Sequence, residues 1–193
     1  MKTRIRFSSI ELKHLSISWI AISLAFAIAM TYPAWQNFGN LPMAMLISAF
    51  TVGLGFLLHE LGHKYLAQKY GCFAEYRSDF RMLVFAVLVS FTGFIFAAPG
   101  AVLISGHVTK EQNGRISIAG PLINLLLALL FLLLLLTPLT ELASFGFRIN
   151  AWLALFNMIP LGFFDGKKVL NWSKSWYFSL LMASAVLVFV SFL

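Results

Sequence analysis

The residues best placed to do chemistry are His59-Glu60-Leu61-Gly62-His63, at the end of the second apolar run of the chain. On an α-helix, residues four apart stand one turn above each other on the same face, so His59 and His63 offer two imidazoles to one ion. Glu60 lies about 100° further round, where it can take a proton from an attacking water, and this spacing on a helix points to zinc. Two histidines leave a catalytic zinc site one protein ligand short of the usual three plus water. Asp165, followed by Gly166 at the end of another apolar run, is the best third ligand. In isolation, without the histidines, it reads first as a turn residue before Gly166. Solvated groups at a membrane surface are the bland alternative for the histidine pair, but ionisable residues at bilayer depth are functional by default.

Composition says what must position these groups. Of the 193 residues 60% are hydrophobic and 11% charged, against roughly 25% charged in a soluble domain. The chain is therefore expected in a lipid bilayer. Apolar runs extend from Ile17 to Tyr32, Leu41 to Leu58, Met82 to Ile104, Ile116 to Leu139, Leu142 to Phe164 and Trp176 to Leu193, several near the ~20 residues that cross a bilayer. They predict an α-helical polytopic membrane protein with five to six crossings in a single domain, residues 1–193. The last run has no flanking charge after Leu193, as in a chain trimmed short of further helices. The net charge of +7 comes from short connections and not from a basic binding motif, which argues against nucleic acid. Cys72, the lone cysteine, is assigned no role.

Orientation follows from the basic residues, which accumulate on the cytoplasmic side. Lys2, Arg4, Arg6 and Lys13 precede the first run, whereas the connection from Thr31 to Leu41 is uncharged. Lys64, Lys69, Arg77 and Arg81 follow the second run, and Lys167, Lys168 and Lys174 precede the last. The N-terminus and the histidine pair are thus expected on the cytoplasmic side of the membrane. The segment Ile5 to Ile17 alternates apolar and polar residues and predicts a short strand at the membrane surface, leading into a retained first span and not a signal peptide. The run Met82 to Ile104 must begin and end on one side. With Gly93, Pro99 and Gly100 breaking it, it predicts a re-entrant, β-hairpin-like segment, the alternative being an ordinary sixth crossing. In this orientation the second and fifth runs both descend to the cytoplasmic side, which puts His63 and Asp165 at the same depth.

Two further stretches stand out: Ala119-Gly120-Pro121-Leu122-Ile123-Asn124, and Asn157-Met158-Ile159-Pro160 leading to Asp165-Gly166. With the His59 to His63 motif, and in this order, they resemble the site-2 proteases, and in particular the short archaeal and bacterial members without a PDZ domain. The resemblance covers about Leu41 to Lys168, the expected catalytic core 41–168. It implies one zinc ion per chain held by His59, His63 and Asp165, Glu60 as general base, and transmembrane proteins as substrates. Phe163 departs from the pattern, since many relatives have a second proline there. Asn124 and Asn157 sit in apolar helices, where an amide must find a partner. They either bond neighbouring helices or donate to a substrate carbonyl or the oxyanion formed from it. The rival function is a zinc transporter or sensor, which needs the three ligands but not Glu60 as a base. A membrane zinc protease acting on prenylated or soluble peptides is the second rival. The residues leave the substrate and the oligomeric state open.

Overall fold

A computed structural model describes residues 5–162 and 164–193; Lys2, Arg4 and Phe163, used above, lie outside the described residues. The elements are α1 (Ser9–Met30), α2 (Leu41–Ser48), α3 (Leu54–Lys69), β1 (Phe73–Ser78), α4 (Phe80–Ser90), β2 (Gly100–Ser105), α5 (Lys110–Leu134), α6 (Thr140–Asn157), α7 (Asp165–Trp172) and α8 (Lys174–Val190). A 3-10 turn, α2, a π-helical turn at Ala49–Gly53 and α3 run on as one 32-residue helix, Phe38–Lys69. Among the described residues, this helix, α1 and α5 are the three that are long and apolar enough to cross a membrane, and they mark a membrane protein. The six runs of the sequence do not all become such helices among the described residues: α8 has 17 residues, and α6 has 18 and carries Glu141 and Arg148.

Two expectations are corrected. The N-terminal alternation does not make a strand. Helix α1 starts at Ser9, with Ser8 accepting from the Glu11 N–H at 3.0 Å. Ser8-x-x-Glu11 is a helix-start signature, and the cap wins because the apolar residues of α1 continue unbroken into a 22-residue helix. The run Met82 to Ile104 is not a hairpin closed on itself. Asp79 caps α4 through the N–H groups of Arg81 and Met82, α4 ends before Gly93 with its positive φ of 80°, and β2 pairs with β1 instead. Gly100 lies against Arg77 and Ser78 while Gly106 lies against Cys72, so the two strands run antiparallel. At 11 residues, α4 spans about 16 Å, half the hydrocarbon thickness of a bilayer.

The described residues form two compact units. In residues 6–57 and 75–103, α1 packs on α2, the π turn and α4. Polar groups there bond across elements: Glu11 accepts from the Tyr76 N–H at 2.9 Å, His14 Nδ1 from the Ser78 N–H at 3.0 Å, and Tyr76 Oη donates to the Pro99 carbonyl at 2.9 Å. In residues 58–74 and 104–193, α5 packs on α6, α7 and α8. One core cluster there joins Ile118, Met158, Val169, Tyr177 and Leu180, and a second joins Ala128, Phe131, Phe147, Ala151 and Val188. Glycine and proline stand at the ends of two helices: α3 stops at Lys69 before Gly71 at φ +82°, and α6 stops at Asn157 ahead of Pro160.

Candidate metal centre

The second unit holds the residues expected to do chemistry. Helix α3 sets His59 and His63 one turn apart, with Nε2 atoms 3.0 Å from each other. Asp165 is the first residue of α7, and its Oδ2 lies 3.4 Å from His59 Nε2 and 3.1 Å from His63 Nε2. All three side chains are buried. Ligands about 2.0–2.1 Å from a tetrahedral zinc stand about 3.3 Å from one another, so the triangle has the right size before any adjustment. Three lone-pair donors this close repel unless a cation, whether a proton or a metal ion, lies among them.

Neighbouring groups fit the same purpose. A Cβ at Gly120 of α5 would lie 2.5 Å from each Nε2, so only glycine leaves room where the donors converge. Gly166 lets α7 start against the end of α6, since a Cβ there would stand 2.2 Å from the Met158 carbonyl oxygen. Each imidazole is held from behind: His63 Nδ1 lies 2.7 Å from the Ile116 carbonyl and His59 Nδ1 lies 2.6 Å from Asn124 Oδ1. Metal-bound histidines are held in this way, which fixes ring orientation and tautomer. Ser117 Oγ, on the same face of α5 as Gly120, is buried with no hydrogen-bond partner among the described residues. Two imidazoles and a carboxylate are a donor set that zinc accepts.

No protein-family model and no solved structure matches the chain. Sequence relatives do. A Methanocaldococcus jannaschii protein provisionally named zinc metalloprotease MJ0611 is 42% identical over 175 residues, which cover 87% of this chain and 87% of that one. This chain belongs to the zinc metalloprotease family. The zinc metalloprotease MJ0392 of the same archaeon is 30% identical over 122 residues, 60% of this chain and 30% of its own length. A Bacillus subtilis protein provisionally named zinc metalloprotease YwhC is 29% identical over 146 residues, 63% of this chain and 66% of its own length.

The remaining predicted residues of the metalloprotease divide. Glu60 is buried beside His59 on α3. Asn124 is brought to the centre, but its amide is engaged with His59 and, through Nδ2, with Asn150 Oδ1 at 3.1 Å. These contacts join α5 to α3 and α6. Asn157 is half-buried and donates to the Leu153 carbonyl of its own helix at 2.9 Å. Sequence reasoning missed Asn150 and the spacing role of Gly120. An amide two turns before Asn157 in an apolar helix was the available signal for the first. The Ile116 carbonyl left none, because backbone groups look alike in every sequence.

Proposed function

We propose that this metalloprotease is an intramembrane enzyme of the site-2 protease type, hydrolysing peptide bonds within or next to the transmembrane helices of its substrates. The observation that carries the reading is that the histidine pair stands on the same continuous apolar helix, Phe38–Lys69, that is long enough to cross a bilayer. The site and the N-terminus face the cytoplasmic side of a prokaryotic plasma membrane in this reading, which the basic residues near them support as to side. Helices α6 and α8 complete five crossings, and α4 with β2 forms a re-entrant segment, since α4 is too short to cross.

His59, His63 and Asp165 hold one zinc ion per chain. When bound, zinc supplies Lewis acidity at the scissile carbonyl and to the attacking water. Glu60 takes the proton of that water and delivers it to the leaving amine. Asn124 keeps His59 in its ligating orientation, and the Asn157 amide donates to the substrate carbonyl or its oxyanion. A peptide bond inside a helix is shielded by the turns around it, so the substrate must open locally. The largely exposed strand β2 offers backbone groups to the opened segment.

The test pairs zinc content with cleavage of a reporter transmembrane substrate in liposomes, for wild type and Glu60→Gln. Retention of about one zinc per chain with cleavage lowered at least roughly 100-fold supports the proposal. Zinc binding without cleavage of any reporter, together with equal zinc flux across liposomes for both proteins, would establish a transporter instead.

A further inference from the structure

The two imidazoles are supported unequally. Behind His63 stands a backbone carbonyl, that of Ile116, which can only accept, so His63 carries its proton on Nδ1 and turns the Nε2 lone pair to the metal. Behind His59 stands a side-chain amide, that of Asn124, whose oxygen and nitrogen exchange places on a 180° turn. Turned over, Asn124 would donate to Nδ1, the imidazole proton would move to Nε2, and His59 would cease to be a ligand.

A chain of hydrogen bonds prevents that turn. Asn124 Nδ2 donates to Asn150 Oδ1 at 3.1 Å, and Asn150 Nδ2 donates to the Gly146 carbonyl of its own helix at 2.9 Å. Both asparagines are fully buried, where no water competes. The Gly146 carbonyl can only accept, so Asn150 must turn its NH₂ to Gly146 and its oxygen to Asn124. Asn124 must then turn its NH₂ to Asn150 and its oxygen to His59. The polarity of one backbone carbonyl on α6 is thereby transmitted through two amides to a ring on α3. Gly146 is itself held in place, since a Cβ there would stand 2.5 Å from the Phe131 ring.

We infer that Asn150 is a positioning residue of the metal centre: acting only through Asn124, it locks His59 as the Nδ1–H tautomer whose Nε2 faces the metal. This rests on the metal-centre reading above and extends it to a residue that touches neither metal nor substrate.

The experiment measures zinc affinity of the full chain in detergent by competition with a chromophoric chelator, and the visible spectrum of the cobalt-substituted protein. The proteins are wild type, Asn150→Leu, Asn150→Ser, Asn150→Asp, Asn124→Ala and the double variant Asn124→Ala/Asn150→Leu. Asn150→Leu weakens zinc binding about 10- to 100-fold and shifts the cobalt bands, as loss of a partner behind a ligand does. Asn150→Ser, whose hydroxyl is too short to reach Asn124, behaves alike and carries the test should the leucine variant fail to fold. Asn150→Asp, whose buried carboxyl in its protonated form donates to the Gly146 carbonyl and accepts from Asn124, stays within about threefold of wild type. In the Asn124→Ala background, Asn150→Leu has no further effect. A merely structural Asn150 would lower thermal stability with unchanged zinc affinity and cobalt spectrum in the folded protein, and that result overturns the inference. Additive losses in the double variant, or an Asn150→Asp protein as weak as Asn150→Leu, overturn it as well. A wild type that holds no zinc sinks the metal-centre reading first and this inference with it.

Discussion

Two regions of the molecule bury polar groups, and they do so to opposite ends. In the unit containing α1, groups on and beside β1 meet their complements: the Glu11 carboxylate faces the Tyr76 N–H, His14 Nδ1 faces the Ser78 N–H, and Tyr76 Oη faces the Pro99 carbonyl. Donor meets acceptor, and the result is a helix stitched to a strand. In the unit containing α5, His59 Nε2, His63 Nε2 and Asp165 Oδ2 converge at 3.0–3.4 Å, while the Nδ1 atoms behind the two rings are held by Asn124 and the Ile116 carbonyl. Three potential ligand atoms brought together and braced from behind suit a cation. Burial alone does not separate structure from function here; the direction of the hydrogen bonds does.

Substitutions sharpen this contrast, beginning with the largest effect. Gly120→Ala puts a methyl group 2.5 Å from both Nε2 atoms. Overpacking of this kind costs about 1–3 kcal/mol, or roughly 5- to 150-fold in zinc affinity if it falls on the bound state. Chelator competition measures it, and a Gly120→Ala protein with wild-type affinity would show that the donors converge elsewhere. Glu11→Ala should reverse the pattern. It leaves the buried Tyr76 N–H without its carboxylate, at about 1–3 kcal/mol of stability, while zinc affinity of the folded protein stays as in wild type. Thermal unfolding and zinc competition on one sample report both, and a parallel fall in affinity would erase the contrast. Ser8→Ala has the smallest effect, about 0.5–2 kcal/mol for loss of an N-cap. It also removes the hydroxyl that Glu75 accepts from, and the loss should appear in unfolding midpoints with cleavage unaltered.

How far these regions are legible in the sequence differs for physical reasons. The membrane class, the helix carrying His59 and His63, its stop at Gly71 and the break after Asn157 follow from periodicity, composition and glycine or proline chemistry, all of which act within a few residues. The alternation from Ile5 to Ile17 misled because a period of two over a few polar residues carries less free energy than a capped helix whose remaining turns are apolar. The strand pairing misled because a strand predicts that it needs a partner, not which one: β2 pairs with β1, across the whole of α4.

At the metal centre the division is finer. Residue types and spacing were enough to single out His59, His63 and Asp165 as candidate ligands, which the fold brings together, because a helix turn is the same in every protein and zinc chemistry asks for few donor types. Only tertiary structure decided what stands behind each ligand. That Gly120 makes room for two rings, that Ile116 offers its carbonyl to one and Asn124 its amide to the other, and that Asn150 sets the sense of that amide all depend on how α3, α5 and α6 cross. A crossing is set by the fit of whole helix faces, which no local pattern encodes.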